Sequence, residues 1–185
     1  GDPVEAGLAT RALVRRPGPC YLRLAKAGEP VIHREQPDFE IGRAITVREG
    51  GDCTLVSTGA MLRTVLNAAD ELARSHRIEA RVLSMHTVKP LDVDAIRTAC
   101  DTGAIVTIEE HTTMGGLGGA TAEVLAEMDE RPRFLRIGLP SAFASTVGSQ
   151  TYLLERAGLS APAIVRAVIG VLGPARRRVV ITESD

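Results

Sequence analysis

AIVTIEEHTTMGGLGGATAEVLAEMDE, residues Ala104 to Glu130, decides the fold. Ala104 to Ile108 is an apolar run of the kind that suits a strand covered on both faces. It runs out into Glu109, Glu110 and His111. A loop with Gly115, Gly116, Gly118 and Gly119 follows, and then an amphipathic helix from about Leu117 to Met128. In an open parallel α/β sheet, sites are built in the crevice beyond the carboxyl ends of strands. Charge and glycine therefore sit where a strand hands over to a helix.

Outward from this stretch the same alternation repeats. Cys53 to Ser57 (CTLVS) reads as a buried strand and about Ala60 to Ser75 as a helix with Leu62, Val65, Leu66, Ala69 and Leu72 on one stripe. Ala80 to Met85 is the next strand, and Asp92 caps a helix from Val93 to about Cys100. Downstream come a strand at Arg133 to Ile137, a short helix at Gln150 to Arg156, and a helix from Ala161 to Leu172 capped by Ser160. This order predicts a βαβ series on a mostly parallel sheet, an α/β fold.

The front of the chain is different in kind. Asp2-Pro3-Val4-Glu5 is a helix start with an N-cap, Pro at the first helical position and a capping-box Glu. Pro17-Gly18-Pro19 ends that helix, and Cys20 to Leu24 (CYLRL) reads as a strand. Lys26 to Phe39, rich in Gly, Pro and charge, reads as a linker, with Ala25 to Gly42 a domain boundary. A short strand is expected at Ala44 to Arg48, and the charged tail 175–185 is expected to be loose, with Val179 to Ile181 able to pair. The opening Gly-Asp-Pro-Val-Glu reads as the middle of a longer chain, a fragment or a processed product.

Composition narrows the function classes. Across 185 residues, 44% are hydrophobic but only 3% aromatic, with no Trp, so the core must be aliphatic. The net charge of −1 gives no electrostatic reason to expect nucleic acid or an anionic membrane surface. No apolar run approaches the ~20 residues that span a bilayer. Cys20, Cys53 and Cys100 lie far apart without CxxC spacing, which argues against a disulfide framework or zinc site and for a reducing, cytoplasmic setting.

Candidate chemistry is sparse. The glycine loop precedes a helix whose free N–H groups favour an anion. However, Gly116-x-Gly118 is followed by Thr121 where the dinucleotide fingerprint needs a small residue, and two carboxylates precede it. A loop that shapes the backbone at an interface is the competing reading. His111 could do acid–base work if Glu109 or Glu110 oriented it, or it could be an ordinary hydrogen-bonded loop residue. Glu109 and Glu110, adjacent on a strand, point to opposite faces and cannot form a carboxylate pair. No nucleophile elbow surrounds Ser57 or Ser84, and His33, His76 and His86 show no metal-ligand spacing. Arg23, on the CYLRL strand ahead of Lys26, would suit a phosphate or carboxylate, with a surface ion pair as the alternative.

The motifs taken together resemble a family. D-P-x-E-A (Asp2 to Ala6), P-x-Y-L-R-L (Pro19 to Leu24), I-G-x-A (Ile41 to Ala44), G-D-x-T-L-V-S-T-G (Gly51 to Gly59), V-L-S-M-x-T-V-K-P-L-D (Val82 to Asp92) and I-V-T-I-E-E-H-x-x-x-G-G-L-G (Ile105 to Gly118) look like the C-terminal part of transketolase-type thiamine diphosphate enzymes. The likeness is strongest to the C-terminal half of split, two-subunit transketolases. Deoxyxylulose-5-phosphate synthases and the beta subunits of 2-oxo-acid dehydrogenase first components are more distant.

That resemblance implies a three-layer αβα domain with a mostly parallel, about five-stranded sheet at 44–174. It would be preceded by the last helix and strand of a pyrimidine-binding domain (1–34) and a linker (35–43), and followed by the tail. The complete enzyme would move a two-carbon ketol unit between sugar phosphates, using thiamine diphosphate and a divalent metal such as Mg. This chain would carry no catalytic residue and bind no cofactor or metal alone. It would need an N-terminal diphosphate-binding domain or subunit as partner and would form a homo-oligomer. Arg23 matches the family arginine that contacts the acceptor's phosphate; Glu110, His111, Gly115, Gly116 and Gly118 match a loop at the domain and dimer interface. The alternatives are a non-catalytic assembly or regulatory module and a free-standing enzyme binding a nucleotide or phosphosugar at the glycine loop.

Overall fold

The computed structural model describes residues 1–26 and 28–173, so the expected tail at 175–185 lies outside the described residues. Helix α1 spans Pro3–Val14. Strand β1 (Ile45–Arg48) and strand β2 (Cys53–Ser57) follow. A single tight turn at Gly59–Met61 opens α2 (Leu62–Glu71), which widens over Leu72–His76 and closes at Arg77 in the left-handed region. Then come β3 (Ala80–Ser84), α3 (Val93–Ala99), β4 (Ala104–Thr112), α4 (Leu117–Ala126), β5 (Arg133–Leu139), α5 (Gln150–Arg156) and α6 (Ala161–Leu172).

The sheet order is β1-β3-β2-β4-β5, with β1 antiparallel to β3 and every other pair parallel. Side chains alternate across a strand, and the core divides accordingly. Leu55, Val82 and Val106 face α2 and α6, packing on Leu62, Val65, Ala68, Ile164, Val165 and Val168. Their neighbours Val56, Leu83 and Ile105 face the opposite way, onto Ile96 and Ala99 of α3 and Leu117 and Leu125 of α4. Two aliphatic cores on either side of one sheet make the three-layer αβα arrangement. Each large aliphatic side chain removed from water here contributes about 1.5–3 kcal/mol.

Two expectations change. Cys20 to Leu24 is not a strand: it pairs with no other segment among the described residues, and Tyr21 and Leu24 are exposed. A strand is held by its neighbour's backbone, and β-propensity without a neighbour does not make one. Conversely, β4 does not stop at Ile108 but continues through both carboxylates and His111 to Thr112. β5 accompanies it, with an irregular register between Ile108 and Thr112.

Chain order places β3 on one side of β2 and β4 on the other, so the sheet reverses direction between β2 and β4. Ser57 to Gly59, at the end of β2, and Glu109, just past the last β2–β4 pair, flank the crevice where α/β proteins place ligands. Among the described residues no helix is long and apolar enough to cross a membrane.

Candidate functional site

The first surprise at this crevice is its occupant. Glu109 is buried, and its two carboxylate oxygens accept the backbone N–H groups of Leu117 and Gly118 at 2.8 and 2.7 Å. Those are free donors at the start of α4, where the helix dipole favours negative charge. The protein's own carboxylate thus fills the anion site that the glycine loop would otherwise offer a phosphate. Gly116 makes room for it: a Cβ there would collide with Oε2 of Glu109 and come within 2.9 Å of its Cδ and 3.0 Å of the His111 ring. Gly118 is needed for a different approach, since a Cβ would lie 2.9 Å from Arg136 and 3.0 Å from the Thr107 hydroxyl. Gly115 supplies the left-handed turn, with φ of 76°. A diphosphate does not fit at this helix end.

Glu110 points the other way. Its carboxylate oxygens accept the side-chain N–H of Gln150 at 3.3 and 3.2 Å, and its carbonyl accepts the Arg23 guanidinium at 3.3 Å. Two residues singled out in sequence 87 positions apart therefore meet. Arg23 is exposed, and among the described residues it has no carboxylate within ion-pair distance. Arg48 and Arg81, by contrast, are each paired with acids. His111 is exposed, and its ring makes no hydrogen bond among the described residues, so neither Glu109 nor Glu110 orients it. Of the loop residues, Glu110 meets Arg23, His111 and Gly115 are exposed, and Gly116 and Gly118 are buried against Glu109, Thr107 and Arg136.

A second polar cluster, missed in the sequence, ties the front of the chain to the end of β3. Asp2 caps α1 through the Glu5 N–H at 2.9 Å, and its other oxygen accepts from the N–H groups of Ile32 and His33 at 2.8 and 3.0 Å. Burial alone would push the Asp2 carboxyl up, but these N–H donors outweigh it and hold it below the usual carboxylate value. Glu5, expected to reach back in a capping box, instead bonds His33 Nε2 at 2.8 Å and accepts the Ser84 hydroxyl at 3.0 Å. Asp2, Glu5 and His33 bring ligand-capable atoms within 4.8 Å of one another. Every carboxylate oxygen among them already accepts a hydrogen bond, so the group is a structural clasp. No local signal marks it, because Glu5 and Ser84 are 79 residues apart.

His86, just past β3, stacks on Phe39 with ring centroids 4.0 Å apart and shares a 2.8 Å hydrogen bond with Thr87. Its Nε2 is buried without a partner among the described residues, and burial pulls its pKa below the ordinary value. The Cys53 thiol is fully buried and pushed up to about 12 by that burial and by Asp52, so it is inert. Within the described residues no nucleophile, base and orienting group come together.

Comparison with known proteins agrees with this geometry. The profile of the family described as "Transketolase, C-terminal domain" matches residues 42–164. The chain is similar to 6-deoxy-6-sulfo-D-fructose transketolase subunit SqwH of Clostridium sp. (strain MSTE9), 42% identical across 90% of this chain and 51% of that protein. It is 37% identical to 1-deoxy-D-xylulose-5-phosphate synthase of Aromatoleum aromaticum, over 83% of this chain and 24% of the synthase. A solved structure titled "Split gene transketolase, inactive beta4 tetramer" superposes with a TM-score of 0.80 at 39% identity, covering 88% of this chain and 54% of that one. The chain spans about half the length of the transketolase subunits it matches. It belongs to the transketolase family, and the part it shares is the C-terminal domain.

Proposed function

We propose that this chain is the C-terminal portion of a transketolase-like enzyme that transfers a two-carbon ketol unit between sugar phosphates. On this reading it works in the cytoplasm and is inactive alone. The carrying observation is Arg23, whose guanidinium is held against the end of β4 by a neutral carbonyl while its charge stays uncompensated among the described residues. An arginine fixed in that way suits a phosphate, and in the complete enzyme Arg23 binds the acceptor's phosphate. The edge carrying Glu110, His111, Gly115, Gly116 and Gly118 contacts the N-terminal domain or a second subunit of a homo-oligomer. Thiamine diphosphate and its divalent metal belong to the N-terminal partner, a reading supported by the glycine-loop start of α4 being filled by Glu109.

Calorimetry tests the division of labour. The chain alone binds thiamine diphosphate and Mg no more tightly than about millimolar, whereas assembly with all of the remaining N-terminal portions of the enzyme binds the cofactor and transfers ketol units. Tight binding by the isolated chain overturns the proposal, as does an assembly that binds cofactor but transfers nothing. Two other readings have support. The likeness to 1-deoxy-D-xylulose-5-phosphate synthases favours a synthase, distinguished by the product the assembly forms. The inactive tetramer named for the solved relative favours a non-catalytic assembly module, distinguished by absence of turnover in the complete complex.

A further inference from the structure

We infer that Gln150, acting through Glu110, is a positioning residue for the phosphate-gripping arginine, so that the C-terminal domain sets how well the acceptor's phosphate is held. The inference rests on the proposed role of Arg23 and adds the device that aims it.

The ladder between β4 and β5 is interrupted near its carboxyl end. It pairs Ala104 to Ile108 regularly with Arg133 to Ile137, and the next pair is Thr112 with Leu139. Glu109, Glu110 and His111 thus face the single residue Gly138, and three residues against one form an irregular, bulged stretch. Gly138 lets the chains close up there, since a Cβ on it would lie 2.7 Å from the His111 carbonyl. Regular pairing does not fix Glu110 in this stretch. Its side chain is fixed instead by Gln150, whose amide nitrogen donates to both carboxylate oxygens. Ser149 caps the helix that begins at Gln150, with its hydroxyl accepting the Tyr152 N–H at 3.3 Å, so the donor stands on an ordered element. The carbonyl on the same residue, Glu110, is the one that accepts the Arg23 guanidinium.

The chain of contacts therefore runs from the start of α5 through Glu110 to Arg23. A neutral carbonyl orients the guanidinium without neutralising it, as a carboxylate would. Gln150 in turn occupies the Glu110 carboxylate, and that engagement keeps the acid from swinging onto Arg23 and competing with a phosphate. Losing Gln150 should both loosen the carbonyl and release a competing anion.

The test uses the assembled enzyme, with hydroxypyruvate as ketol donor and glyceraldehyde 3-phosphate or unphosphorylated glyceraldehyde as matched acceptors. The readout is the ratio of KM for the phosphorylated acceptor to KM for the unphosphorylated one. Arg23→Ala should raise that ratio by roughly tenfold or more, as loss of a charge-assisted contact does. Gln150→Leu, which keeps the bulk and removes the donor, should raise it about threefold. On the Arg23→Ala background Gln150→Leu should add nothing, because the two residues act in series. The double variant Gln150→Leu with Glu110→Gln, lacking the competing charge, should recover part of the loss. If Arg23→Ala leaves the ratio alone, the phosphate reading of Arg23 itself is wrong. If Arg23→Ala raises it and Gln150→Leu does not, or if the two effects simply multiply, the positioning role alone is overturned.

Discussion

Replacing Gly116 by alanine tests whether the buried carboxylate of Glu109 holds the glycine loop. The φ of Gly116 is −101°, which any residue adopts, so dihedral strain contributes nothing and only the new methyl matters. That methyl lands on Oε2 of Glu109 and must displace the carboxylate from the N–H groups of Leu117 and Gly118. Two charge-assisted bonds at ~1.5–3 kcal/mol each are at stake, in a side chain only 2% exposed that has little water to turn to. Allowing for partial relaxation, the cost is about 3–5 kcal/mol. For a chain of this length it lowers Tm by about 10 °C. Two neighbours serve as internal standards. Gly119→Ala meets nothing within 4 Å on a helix and should be neutral or stabilising by up to ~1 kcal/mol. Gly115→Ala also meets nothing but sits at positive φ and should cost ~1 kcal/mol. Urea melts followed by circular dichroism suit a protein without Trp. Gly116→Ala behaving like Gly119→Ala would refute the clamp.

Two further variants probe His86 and the front of the chain. The folded protein keeps His86 below its ordinary pKa mainly by burial, with the nearby carboxylates of Glu5 and Asp92 opposing. A depressed folded value means that the unfolded chain takes up the proton first as pH falls. The contribution of neutral His86 is therefore complete above about pH 6.5 and is lost below it, towards the folded value. His86→Phe, which keeps the stack on Phe39, should flatten the fall in Tm between about pH 7 and pH 5.5, and an unaltered slope would exonerate His86. Asp2→Ala removes the cap of α1 and both bonds to Ile32 and His33; it should cost about 2–4 kcal/mol and speed tryptic cleavage at Arg23, Lys26 and Arg34. Unchanged cleavage would show that the clasp restrains nothing.

What could be read in the sequence was what repeats locally. The apolar runs at Cys53 to Ser57 and Ala104 to Ile108, and the stripe through Leu62, Val65 and Ala69, carry their periodicity on their faces, and each became a core element. Asp2 and Asp92 marked helix starts because a cap acts within three or four residues, whereas Ser160 stands at the start of α6 without its hydroxyl making the expected capping bond. The strand at Cys20 to Leu24 failed for the complementary reason: its apolar run is local, but a strand needs a neighbour. The role of Glu109 was half legible. Two carboxylates ahead of a helix start argued against a phosphate, yet which of them turned inward depended on the pleat of a strand that ran four residues further than its apolar stretch. The clasp of Asp2, Glu5, His33 and Ser84, like the meeting of Arg23 with Glu110, joins residues that no window of sequence contains.

These long-range contacts share a direction. Two of them bind the segment before Arg34 to the carboxyl edge of the sheet, Glu5 at the end of β3 and Arg23 at the end of β4, while Asp2 holds that segment together through Ile32 and His33. A segment that merely trailed from a domain boundary would have no reason to bury two acids, Asp2 and Glu5, in the process. Burying them is costly unless they are hydrogen-bonded, and the bonds that offset the cost also fix where α1 starts against Ile32, His33 and Ser84. The crevice at the sheet's reversal, filled by Glu109 from within, has been given over to architecture. The same edge is left to present Arg23, with its charge intact, to whatever lies beyond it.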